Sequence, residues 1–145
     1  MDFAPTLILV TLGILLEAFF SGSEIGMVSV NRIKMKQLAE EGNSAAKSIL
    51  KLLDNPERLF TTTSLGTNLA MVASTAIFTA FMVTHFGDSG EWMAMAIISP
   101  MIFFIGEIIP KVIFQHRADS LMLLIVYPLI FFNKIFSPFT NWLSK

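Results

Sequence analysis

An all-α membrane protein, with three transmembrane helices, juxtamembrane amphipathic helices and a third span broken near Pro110, is the fold class this sequence predicts. Three observations predict it. Hydrophobic residues make up 54% of the 145 residues, and the mean hydropathy of +0.67 exceeds what a soluble core of this size needs. Three stretches, at about 3–30, 58–84 and 91–114, each reach the roughly 20 mainly apolar residues that cross a bilayer. The basic side chains all fall on one side of a three-span arrangement.

The first span starts without a basic residue in Met1-Asp2-Phe3-Ala4-Pro5-Thr6 and is longer than the apolar run of a signal peptide. It is therefore expected to be retained. Six basic residues, Arg32, Lys34, Lys36, Lys47, Lys51 and Arg58, follow it, and the other four, Lys111, Arg117, Lys134 and Lys145, come at or after the end of the third span. His85 to Glu91, between the second and third spans, has no Lys or Arg. Since Lys and Arg mark cytoplasmic loops, the expected orientation is N-terminus outside and C-terminus in the cytoplasm of a plasma-membrane protein.

Residues 31–56 place Ile33, Leu38, Ala45 and Ile49 among charges at near-helical spacing, with a break at Glu40-Glu41-Gly42-Asn43. Two short helices follow from that pattern, lying at the membrane surface or forming a solvated hairpin. Asp54-Asn55-Pro56-Glu57 has the cap and first-turn residues of the next helix. In segment 118–145 the apolar run Ser120 to Phe132 is only about a dozen residues and contains Pro128. An interfacial or re-entrant segment is expected there rather than a fourth span.

Polar residues inside the spans carry the functional reading. Glu17, Ser21 and Glu24 are spaced i, i+4, i+7 and share one face of the first helix, and Gly22 eases unwinding between Ser21 and Ser23. The alternative role for Gly22 and the serines is close helix packing. In the second span Thr61, Ser64, Asn68 and Thr75 fall near one face, and the Asn68 amide oxygen is a hard donor. In the third, Pro110 lacks the N–H that an α-helix would give to the carbonyl of Gly106, leaving that carbonyl beside Glu107. An ordinary proline kink with Glu107 paired to Lys111 is the competing account. A carboxylate at membrane depth costs roughly 2.5–3.5 kcal/mol on insertion scales, so an ion or proton pathway is the default reading of Glu17, Glu24 and Glu107.

The pooled donors, Ser21, Ser23, Asn68, the Gly106 carbonyl and Glu107, are all oxygen, which suits Mg²⁺, Ca²⁺, Mn²⁺ or alkali ions. Glu17, Glu24, Ser64 and Pro110 are assigned coupling-ion or structural roles. With no cysteine there is no thiolate site or disulfide, and with His85 and His116 near opposite faces and no His-Glu-x-x-His pattern, no enzyme is expected. No glycine loop for nucleotides is present, and no nucleic-acid partner is expected.

Phe20-Ser21-Gly22-Ser23-Glu24, Ser64-Leu65-Gly66-Thr67-Asn68-Leu69 and Gly106-Glu107-Ile108-Ile109-Pro110-Lys111, in this order, resemble the transmembrane domain of the CNNM/CorC family over essentially the whole chain. The resemblance implies a homodimeric, three-span magnesium transporter that exports Mg²⁺ in exchange for Na⁺, with magnesium ligands at Ser21, Ser23, Asn68, Gly106 and Glu107. It also implies cytoplasmic CBS domains in the full-length protein, outside this chain. Members of the family often carry Asn-Asn after the glycine and another Asn three positions on, where this chain has Thr67-Asn68 and Met71. A divalent-cation channel or ion sensor, and a membrane anchor and dimerisation module, are the alternative functions.

Overall fold

The computed structural model describes residues 2–143 and is helical throughout that range, with no strand among the described residues. Met1, Ser144 and Lys145 lie outside the described residues, and Lys145 is one of the ten basic residues in the orientation expectation. The elements are α1 (Phe3–Ser29), α2 (Arg32–Glu40), α3 (Ser44–Leu53), α4 (Pro56–Phe86), α5 (Ser89–His116), α6 (Ala118–Ile135) and α7 (Ser137–Leu143).

Asparagines start three of these helices by accepting a backbone N–H that the first turn leaves unbonded. Asn31 Oδ1 accepts from Lys34 at 3.1 Å, Asn43 Oδ1 from Ala46 at 3.0 Å, and Asn55 Oδ1 from Arg58 at 3.3 Å. Gly42 ends the α2 turn at φ +96°, a conformation that a side chain would strain.

Four helices are long and apolar enough to cross a membrane: α1, α4, α5 and α6. Three were expected. The difference is α6, whose 18 residues extend the apolar run by two residues at its start and three at its end and continue through Pro128. Proline removes one helix hydrogen bond, and the turns on either side hold the helix together around the gap. The outward faces are those of a lipid-solvated protein. Leu7, Ile8, Leu12 and Leu15 on α1 are each at least half exposed, as are Phe103 and Phe104 on α5.

The expected break near Pro110 is also corrected. α5 does not break but widens into a π-helix over Ile102–Ile108, where the Ile109 N–H donates to the Phe104 carbonyl. Adding a residue to the turn lets the ladder continue past the missing proline donor with i→i−5 bonds. Nor does α1 unwind at Gly22: it is α-helical from Phe3 to Ser29.

The chain divides into two compact units, Met1–Ser21 with Gly66–Pro110, and Gly22–Leu65 with Lys111–Lys145. The first is held by Val10, Ile14, Ile98 and Ile102, with Phe81, Met82 and Ala94 forming a second cluster. At its α4–α5 turn Gly90 lies against backbone, and a Cβ there would stand 2.3 Å from the Met82 carbonyl oxygen and 2.8 Å from the Val83 nitrogen. Backbone cannot swing aside as a side chain can. Gly90→Ala is expected to lower stability by about 1–3 kcal/mol, read as a fall in the thermal midpoint in detergent, and an unchanged midpoint would refute this packing.

In the second unit α3 buries Ala46, Ile49 and Leu53 along one stripe, and α6 buries Met122, Val126 and Leu129. Polar contacts run the length of α6. Asp119 Oδ1 accepts from the Asn31 N–H at 2.8 Å, Tyr127 OH meets Ser44 Oγ at 2.6 Å, and Asn133 Oδ1 accepts from Thr62 Oγ1 at 2.8 Å. Gly22 packs under the Phe114 ring, to which an added Cβ would come within 2.4 Å, and Gly26 faces Met122 in the same way. Close packing is thus the role the structure gives Gly22.

Candidate cation site

Val10 and Ile14 face the core of the first unit, and the same face of α1 carries Glu17 and Ser21 on the next turns. Glu17 therefore points inward and is 1% exposed, and Ser21 is 2% exposed. The Glu17 carboxylate lies directly on Gly106. A Cβ built on that glycine would stand 2.7 Å from Oε2, 2.8 Å from the carboxyl carbon and 3.0 Å from Oε1. Only a residue without a side chain admits the carboxylate at that distance, so Gly106 of the π-helix is the floor of the site. Glu107, half-buried beside it, is the charged neighbour of Glu17.

Several oxygens in this unit are buried without hydrogen-bond partners among the described residues: Glu17 Oε2, Ser21 Oγ, Thr67 Oγ1 and Ser74 Oγ. Leaving a buried polar group unsatisfied costs about 1–3 kcal/mol, and more for a charged one. Two carboxylates in one low-dielectric region also repel. A cation relieves both penalties. No three His, Asp or Glu side chains converge among the described residues, so a cation here would draw on hydroxyls and carbonyls as well as the carboxylates. That all-oxygen set suits a hard ion.

The family description "Cyclin M transmembrane N-terminal domain" (CNNM) matches residues 7–145. The chain belongs to the CNNM family. Relatives include a UPF0053 protein of Haemophilus influenzae, 31% identical over 140 residues that cover 90% of this chain and 33% of the relative. The UPF0053 inner membrane protein YfjD of Escherichia coli is 35% identical over 98 residues, covering 68% of this chain and 23% of that protein. A chloroplastic DUF21 domain-containing protein of Arabidopsis thaliana is 29% identical over 124 residues, 85% of this chain and 19% of the relative. The chain thus spans a third or less of the length of these relatives. Together with the four apolar helices, the family makes this a multi-span membrane protein.

Within this CNNM domain the residues expected to bind magnesium are distributed unevenly. Ser21, Asn68, Gly106 and Glu107 belong to the first unit, as do Glu17 and Pro110. Ser21 and Gly106 are buried there, but Asn68 is exposed on α4. Ser23, Glu24 and Ser64 belong to the second unit. Ser23 is fully buried, Ser64 is exposed, and half-buried Glu24 has Oε2 3.5 Å from Thr63 Oγ1, which also donates to the Phe60 carbonyl at 3.1 Å.

Thr67 and Ser74 are the oxygens that sequence reading missed. The inward face of α4 is the small-residue stripe Gly66, Ala70 and Ser74, with Gly66 against the Phe20 ring and Ser74 against Gly13. That i, i+4, i+8 spacing of small residues is the signal that marks the packed side of a membrane helix, and Thr67 flanks it.

Proposed function

We propose that this CNNM domain carries Mg²⁺ across the membrane in exchange for Na⁺, as a secondary-active exporter. The observation that carries the reading is the buried Glu17 carboxylate, laid on Gly106 beside Glu107 with an oxygen unpartnered among the described residues. Intramembrane carboxylates mark ion pathways, and π-helical turns inside α-helices occur frequently at functional sites. Mg²⁺ gives up its water reluctantly, so within the first unit charge from Glu107 and oxygens from Ser21, Asn68 and Gly106 compensate for dehydration, while Glu17 takes the coupling Na⁺ or a proton. The buried carboxylate and unsatisfied hydroxyls favour this over a membrane anchor, whose polar groups need only join helices.

Two further parts of the reading have their own support. An amide and a hydroxyl exposed on a membrane helix, Asn68 and Ser64, fit a protein interface better than lipid, which favours a homodimer. The two ends of α6 are bonded to Asn31, just after α1, and to Thr62, on the second turn of α4. If α1 and α4 both cross, those points share one side of the membrane, so α6 lies along that face and three helices cross. This keeps the N-terminus outside, the C-terminus in the cytoplasm and the protein in the plasma membrane, with CBS domains as cytoplasmic partners in the full-length protein.

The test is Mg²⁺ efflux from proteoliposomes with and without an opposing Na⁺ gradient, for the parent and Glu107→Gln. Na⁺-dependent efflux that falls at least tenfold in the variant is expected. Efflux indifferent to Na⁺ would favour a channel, and normal transport by the variant would remove Glu107 from the pathway.

A further inference from the structure

The second unit has a pocket of its own. The end of α3, the start of α4 and the last turns of α6 enclose a pocket of about 410 Å³, within the ~300–1,000 Å³ range of small-molecule sites. Three cations line it, Lys51, Arg58 and Lys134, together with the apolar side chains of Leu52, Leu59 and Ile130. No carboxylate is among its lining residues. An ion pair of this unit, Lys34 with Asp119 at 3.9 Å, lies outside this lining.

Arg58 is the most constrained of the three cations. One of its terminal nitrogens donates to Ser137 Oγ, a neutral partner, while its Nε is buried with no acceptor among the described residues. Among the described residues no anion lies against this guanidinium, whose planar fork matches phosphate or carboxylate oxygens. Asn55, which also lines the pocket, starts α4 here, so the helix N-terminus adds its partial positive charge.

The geometry points to a binding site for the phosphate of an anionic phospholipid. The shared chemistry is a phosphate ester, from a lipid headgroup or a soluble phosphate compound. The apolar lining decides between them: Leu59 is on the first turn of a membrane-crossing helix, and Phe60, Phe131 and Ile135 beside it are exposed in the way lipid-facing side chains are. A headgroup phosphate would meet Lys51, Arg58 and Lys134 while its acyl chains follow the apolar side. Basic pockets at the membrane face recognise lipids in this manner. The site does not depend on the transport reading.

The purified chain in neutral detergent is titrated with phosphatidylglycerol, with phosphatidylcholine and inorganic phosphate as separate arms, following the thermal midpoint. Phosphatidylglycerol is expected to raise the midpoint saturably in the parent, with at least tenfold weaker apparent affinity in the Lys51→Ala/Lys134→Ala double variant. Lys36→Ala/Lys47→Ala, which removes the same charge outside the pocket, should respond as the parent does. Native mass spectrometry of Arg58→Gln, counting retained phosphatidylglycerol, gives a readout independent of the midpoint and should show its loss. Equal stabilisation by phosphatidylcholine, an equal response of the two double variants, or full lipid retention by Arg58→Gln would overturn the site. Saturation by inorganic phosphate alone would overturn the lipid as its occupant.

Discussion

Glu17→Gln is expected to make the protein more stable and less active at once. The carboxylate is 1% exposed, its Oε2 has no hydrogen-bond partner among the described residues, and its charged neighbour is another carboxylate. Glutamine keeps the shape and removes the charge, so the desolvation and repulsion penalties fall. Each kcal/mol recovered raises the midpoint by about 2–4 °C for a chain near this size. Ion-driven transport, which needs the charge, should fall at least tenfold. Opposite movement of stability and activity is the signature of a group kept at a stability cost for function. The measurement is a thermal melt without added Mg²⁺ or Na⁺, beside efflux from proteoliposomes. A variant that melts earlier yet transports normally would make Glu17 a structural residue.

Gly106→Ala should act on the same site from the opposite wall. Its new methyl group would come within 2.7 Å of Glu17 Oε2, and since the carboxylate is the tip of a flexible side chain, it moves before the backbone does. The fold is expected to survive with a loss of about 1–3 kcal/mol, and on the proposed role of Glu17 transport is expected to drop at least tenfold. Shortening the opposing side chain tests the cause. In the Gly106→Ala background, Glu17→Asp withdraws the carboxylate by one methylene, and the pair should show a coupling energy of about 0.5–3 kcal/mol in a double-mutant cycle on thermal stability. Strictly additive effects would mean that Gly106 and Glu17 do not share the contact.

That Glu17 and Glu107 lie inside apolar helices was legible in the sequence, because a carboxylate within an apolar run stands out along the chain. The buried oxygens of Thr67 and Ser74 were not. A hydroxyl costs little on either side of a membrane helix, so Thr61, Ser64, Asn68 and Thr75 described an equally plausible polar face, and only packing against Phe20 and Gly13 distinguishes the one that is buried. The missing donor at Pro110 was equally plain. Whether the helix answers it by breaking or widening depends on where neighbouring N–H groups find carbonyls, and the Ile109 to Phe104 bond supplies the answer. At α6 the apolar count stopped at Ser120 and Phe132. The helix continues because Asp119 and Asn133, polar residues near its ends, find partners in Asn31 and Thr62 far away in the chain.

Membrane residence, the apolar helices and the presence of carboxylates at membrane depth were determined by the sequence alone, since each follows from a sum along one dimension: apolar length, charge, a proline without its N–H. The tertiary structure decided which oxygens are buried together, that Gly106 is the floor beneath Glu17, and that three cations line one pocket with no carboxylate among its lining residues. Those properties depend on distances between residues many turns apart, and a side chain's desolvation and pairing are settled only when its neighbours in space are known.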